Sequence, residues 1–249
     1  MDLITILNAP SARGKKVEPD LDGKATLQYL DHVRRVTERV YGRKHSGSLA
    51  LHPALYCYDA RGKFVAKAFI GAIEFVHSLE QQNKFFEFTE HRKSFENFLI
   101  KHPHLMTQIG KSQGSGGRRG VSAVKALYNS LFKSLKARKS EANIINAMKE
   151  DADLNFLNWG VSEDAHGGDK FDSSDKAAAV IKLALEKDIC PICGGRLYIK
   201  DRSHDHTTRK EDGGKSVSSN LQLTHPYCNT GYKEKKASLA KKKNEKRRG

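Results

Sequence analysis

Residues 22–41, DGKATLQYLDHVRRVTERVY, place Leu27, Leu30, Val33, Val36 and Val40 at intervals of three and four. That spacing returns an apolar side chain to one face of a 3.6-residue helix, so it predicts an amphipathic helix. ALYCYDARGKFV, residues 54–65, predicts a short extended segment with a turn at Arg61-Gly62. In FVAKAFIGAIEFVHSLEQQ, residues 64–82, Phe69, Ile73, Val76 and Leu79 share one helical face. TEHRKSFENFLIKH, residues 89–102, reads as a helix capped by Thr89 and stopped at Pro103. Helices follow over VSAVKALYNSLFKSLKAR, residues 121–138, SEANIINAMKE, residues 140–150, and SSDKAAAVIKLALEKD, residues 173–188, the last capped by Ser173 or Ser174. Phe69, Phe75, Phe95 and Phe98 fall at helical spacing and are expected in a core.

Three polar stretches punctuate this pattern. GKSQGSGGRRG, residues 110–120, contains Gly-Lys-Ser, yet Leu105 stands where a phosphate loop needs its first glycine. A flexible basic connector is the better reading. DADLNFLNWGVSEDAHGGDKFD, residues 151–172, is rich in aspartate and glycine and is expected to be an acidic interdomain linker. The tail KEKKASLAKKKNEKRRG, residues 233–249, is a lysine-rich run whose end is expected to be disordered. The division that results is a helical domain over 1–150, of unclear role and either DNA-binding or regulatory, the linker 151–172, and a smaller domain over 173–249.

Charge narrows the partners. The 249 residues carry 44 Lys and Arg against 29 Asp and Glu, a net charge of +15, which suits nucleic acid. No apolar run reaches the roughly 18 residues that a membrane-crossing helix needs. The first residues, MDLITILNAPSARGKK, place their charge after the apolar stretch, unlike a secretory signal. Three of the four cysteines crowd into the last quarter, which points to a metal and a reducing, cytoplasmic setting. Cys57 stands apart and is expected to be a small buried hydrophobe.

Cys190 and Cys193 are separated by two residues, and so are His225 and Cys228. Three thiolates and an imidazole make a tetrahedral set suited to structural Zn2+, with no position left open for chemistry. Asp205, His206, Asn220 and Asn229 lie between and beside these pairs.

Cys190-x-x-Cys193, Asp205-His206, Gly213-Gly214, Asn220-Leu221 and His225-x-x-Cys228-Asn229 together resemble the HNH nuclease family. The resemblance implies a ββα-metal fold over about sixty residues, and for the whole chain an α+β protein with a mainly helical N-terminal domain. It further implies that His206 is the general base, that Asp205 and Asn229 hold a catalytic Mg2+ or Mn2+, and that Asn220 holds the loop and orients His206. Two positions depart from the common pattern: Asn229 replaces a histidine, and His225 replaces a zinc-binding cysteine. His204 is either an exposed strand residue or a phosphate contact. Lys210, Lys215, Lys233, Lys235 and Lys236 are expected to include phosphate-neutralising residues.

LHPALYCYDARGKFVAKAFIGAIEF, FTEHRKSFENFLIKH and GSGGRR resemble, more distantly, a helical segment of GmrSD-class anti-phage restriction proteins. That resemblance implies duplex phage or modified DNA as substrate and a larger restriction protein as partner; because one HNH site cuts one strand, a homodimer is the other arrangement expected to break duplex DNA. Two rival readings stand beside it: a zinc module that binds nucleic acid without cutting, and an HNH homing or phage-packaging nuclease.

Overall fold

A computed structural model of the chain describes residues 20–42, 45–112, 118–160 and 173–248, with side chains omitted at 112, 118, 174 and 246–248. Its helices are α1 (Lys24–Tyr41), α2 (Pro53–Tyr56), α3 (Ala66–Gln81), α4 (Phe85–Lys101), α5 (His104–Ser112), α6 (Arg118–Lys136), α7 (Glu141–Lys149), α8 (Ser173–Glu186) and α9 (Lys233–Arg248). Strands β1 (Ser203–His206) and β2 (Leu221–Thr224) form an antiparallel pair. The chain is thus a mostly helical protein with a small two-stranded sheet near its C-terminus.

The helical body closes around aromatic side chains. Phe75 stacks on Phe95 at 5.7 Å, and Phe88 meets Phe95 edge-on at 5.3 Å; all three are fully buried. Ile73, Val76 and Leu79 line the same core, with Phe69 at its edge. On α1 only Val36 and Val40 are buried, while Leu27 and Leu30 stay exposed because the core meets only the last turns of that helix.

Several boundaries differ from those read in the sequence. Thr89 does not cap α4: the helix begins at Phe85, and the buried Thr89 hydroxyl donates to the Phe85 carbonyl at 2.7 Å. Phe85 and Phe88 belong to the core, and their burial extends the helix N-terminally. Residues 110–112 continue α5 and 118–120 begin α6, so the connector is confined to 113–117, outside the described residues. The segment expected to be extended opens with the short α2, capped by the ring of His52, and only then forms a bridge between Tyr58 and Phe64. The basic tail is helical through Arg248.

Of the stretch 151–172, the described part packs on the helical body: Leu154 and Leu157 are buried in its core, and Trp159 lies against Phe98 and His102. Residues 161–172 and the first 19 residues lie outside the described residues, and α8 already includes Ser173 and Ser174, so neither stands before it as a cap.

The C-terminal segment is seated on that body. The Tyr227 N–H donates to the Ser48 carbonyl at 2.9 Å, and the Thr230 hydroxyl donates to the Ser46 carbonyl at 2.6 Å. The rings of Phe85 and Tyr227 meet at 5.5 Å and those of Phe86 and Tyr232 at 5.0 Å.

Candidate metal centre and active site

The two Cys/His pairs converge. The ligand atoms of Cys190, Cys193, His225 and Cys228 all lie within 4.8 Å of one another. A bridge between Ile189 and Arg196 closes the first pair into a tight turn, with the Cys190 N–H bonded to the Gly195 carbonyl at 2.8 Å. The second pair follows β2 directly. His225 is oriented by its far ring nitrogen, since Nε2 lies 2.9 Å from the Arg196 carbonyl and donates to it. Nδ1 then faces the sulfurs of Cys193 and Cys228, at 3.4 and 3.6 Å. An imidazole fixed in this way by an outer partner is how proteins hold a metal-ligating histidine.

The three thiols are electrostatically coupled. Hydrogen bonds from Cys193 and Cys228 hold the Cys190 thiol far below its usual range. The same contact with Cys190 pushes Cys193 up to about 12 and Cys228 well above its ordinary value. The three sulfurs crowd so closely that ionising one opposes ionising the others, and a dication at their centre is what would let all three ionise. The cluster could hold a zinc ion.

Beneath the cluster lies an ion pair that no sequence pattern marks. Arg92 and Glu96 on α4 are both fully buried and paired at 2.7 Å. The other Arg92 nitrogens donate to the carbonyls of Leu49 and Ala50 at 2.6 and 3.3 Å. Burial opposes the Arg92 charge, yet Glu96 and the nearby thiols raise its pKa. A β-carbon on Gly195 would lie 2.7 Å from Arg92 Nε, so only glycine lets the cysteine turn rest on this guanidinium.

The neighbouring hairpin presents the other predicted residues. Its register sets Asp205 opposite Gln222 and His206 opposite Leu221. Asp205 is 4% exposed; its Oδ2 accepts from Gln222 Nε2 at 2.9 Å and its Oδ1 from Lys233 Nζ at 2.5 Å. Successive strand residues point to opposite faces, so His206 projects away from that carboxylate, with Nε2 2.9 Å from the Ser216 hydroxyl.

Asn220 pins the loop between the strands. Its Oδ1 accepts from the Thr208 N–H at 2.7 Å, and its Nδ2 donates to the carbonyls of Thr208 and Lys215 at 3.0 and 2.9 Å. Gly214 is required here because a β-carbon would fall 1.9 Å from the Thr208 carbonyl oxygen. The direct partner of His206 is Ser216, a residue on the pinned loop that no sequence motif marks.

Asn229 reaches β1 from a π-helical turn over Cys228–Tyr232. Its Nδ2 donates to Ser203 Oγ and to the His204 carbonyl at 3.0 and 3.1 Å, leaving Oδ1 without a donor among the described residues. In this wider turn the residue four positions on stays near the same face, and Lys233 likewise meets β1. His204 is exposed. Gln222 was legible in retrospect as the polar residue of the alternating NLQLT strand; the reach of Lys233 to Asp205 was not.

Residues 190–235 match the model of the HNH endonuclease family. No curated protein and no solved structure matches the chain. The matched segment contains both Cys/His pairs and all four residues of the hairpin site. No helix among the described residues is long and apolar enough to cross a membrane.

Proposed function

We propose that this protein is a metal-dependent endonuclease that hydrolyses phosphodiester bonds in DNA. The observation that carries this reading is that Asp205 on β1 and Asn229 packed against β1 both offer oxygen donors beside a cluster suited to zinc, within the segment that matches the HNH family. A divalent ion, magnesium or manganese, held by Asp205 and by the Asn229 amide oxygen would polarise the phosphate and stabilise the departing 3′ oxygen. The buried carboxylate and the undonated Oδ1 are hard oxygen donors of the type such ions take.

His206, the last residue of β1, would serve as the base. In the tautomer whose Nε2 proton is donated to the Ser216 hydroxyl, the Nδ1 lone pair takes a proton from water as that oxygen attacks phosphorus. The bond from phosphorus to the 3′ oxygen breaks, and solvent supplies a proton to the leaving oxygen. The products are a 5′-phosphate and a 3′-hydroxyl. Asn220 keeps the loop that carries Ser216 in place, and so supports His206 indirectly.

One such site cuts one strand, so the chain alone nicks, and duplex breakage needs a homodimer or a larger restriction protein. The setting we propose is cytoplasmic anti-phage defence, supported by the resemblance of the helical body to GmrSD-class proteins and by three thiols that need reducing conditions. The deciding experiment is relaxation of supercoiled plasmid with magnesium or manganese, with and without EDTA. Cleavage that persists undiminished in His206→Ala removes the reading. Loss of plaque protection on deleting the gene tests the setting separately.

A further inference from the structure

Asp205 has two carboxylate oxygens and both are engaged. Gln222 holds Oδ2 from the facing strand, so Oδ1 is the oxygen available to a cation. Lys233 holds that one, at 2.5 Å, and its ammonium also lies 3.4 Å from the carbonyl of His206. The carboxylate is almost fully buried, whereas the lysine side chain is 20% exposed and rises from the first turn of α9.

We propose that Lys233 is an internal counterion that Asp205 exchanges for a divalent cation, so that this lysine sets the metal affinity of the site. The inference rests on the nuclease reading and specifies how its metal enters. A carboxylate this buried is costly without a positive partner, so the site is satisfied before metal arrives, and the metal must displace the ammonium to reach Oδ1. The measured affinity is lowered by the fraction of molecules in which the lysine is in place. Lys233 can leave because its stem is long and reaches solvent. Once displaced it stands at the rim of the site as a compact cation with three donors, suited to a backbone phosphate. A bound phosphate therefore favours the displaced lysine, and by linkage DNA and metal strengthen each other's binding.

The test is manganese binding to the zinc-loaded full chain, read from the free-ion paramagnetic resonance signal. Lys233→Met is expected to bind manganese about tenfold more tightly than the parent, the effect of removing one close cation from a buried carboxylate. Its melting temperature should also rise further on adding manganese. Lys233→Gln, which keeps a donor for Asp205, guards against a folding defect and should fall between the two. Asp205→Asn separates the two ways of failing. If Asp205→Asn abolishes binding while both lysine variants match the parent, the exchange is refuted and the nuclease reading stands. If Asp205→Asn also matches the parent, the metal does not sit there, and both fall.

Discussion

The backbone N–H of Arg196, just past the first cysteine pair, donates to the carboxylate of Glu96 in the middle of α4 at 2.5 Å. The same carboxylate receives the Tyr56 hydroxyl at 3.2 Å and the Arg92 guanidinium at 2.7 Å. One buried acid thus ties the helical core to the candidate zinc centre, and the positive charge it anchors lies under the sulfurs. The metal cluster and the helical body should accordingly rise and fall in stability together.

Replacing Glu96 by Ala strands the Arg92 charge in the core and frees the Arg196 amide. Breaking a buried pair from one side costs about 3–5 kcal/mol. Urea unfolding should show that loss, and zinc competition with a chromogenic chelator should show weaker binding in the same variant. A variant that unfolds earlier yet holds zinc with parental affinity would mean that the two regions are not coupled.

Zinc itself is expected at one equivalent per chain. Cys228→Ser should release it, because structural sites of this kind draw on the order of 10 kcal/mol from the metal. Protection from hydrogen exchange should then fall in α4 as well as in the sheet and α9. Full metal content in that variant would show that the four residues do not act as one site.

Substituting His206 with Ala should lower cleavage about 10²- to 10⁴-fold without changing DNA affinity, the usual range for a general base. Ser216→Ala leaves the ring in place but removes its hydroxyl partner. About a tenfold loss of kcat is expected, with KM unchanged, since one hydrogen bond that orients a working side chain commonly matters by that order. An unaltered kcat for Ser216→Ala would show that the ring is oriented by something else.

The basic helix α9 is expected to meet DNA through charge alone. Ending the chain after Leu239 removes Lys241, Lys242, Lys243, Lys246, Arg247 and Arg248. For every phosphate that these side chains neutralise, their removal should reduce the slope of log affinity against log salt by about 0.9. Anisotropy titrations at several salt concentrations measure this directly. A slope equal to that of the full chain would mean that the helix does not touch DNA.

His52 gives the fold an acid-sensitive joint. Burial lowers its pKa from 6.5 to about 4, against the raising pull of Glu96, and its neutral ring accepts the Ala54 N–H at the start of α2. The unfolded chain takes up a proton below pH 6.5 that the folded one refuses until about 4. Stability is therefore full above pH 6.5 and falls as the pH drops through that window, by up to about 3 kcal/mol. Asn keeps the capping oxygen without titrating, so His52→Asn should flatten this part of the profile. A parental profile in that variant would assign the acid loss to other groups.

The sequence by itself determined whatever depends on near neighbours. A two-residue gap brings paired ligands to one ion, and that gap is covalent, so Cys190, Cys193, His225 and Cys228 were legible before any fold was known. Apolar side chains at intervals of three and four likewise marked most helices, because helical repetition is local. The start of α4 escaped because burial of Phe85 outweighed the capping signal of Thr89. Only the tertiary structure decided which charges are buried and whom they meet. Arg92 and Glu96 have the spacing of an ordinary surface pair, and they become a buried hinge because a turn a hundred residues later settles on them. Lys233 is one lysine in a basic run until a π turn carries it to Asp205. The strength of a charge depends on the water excluded around it, and that exclusion comes from segments far apart in the chain.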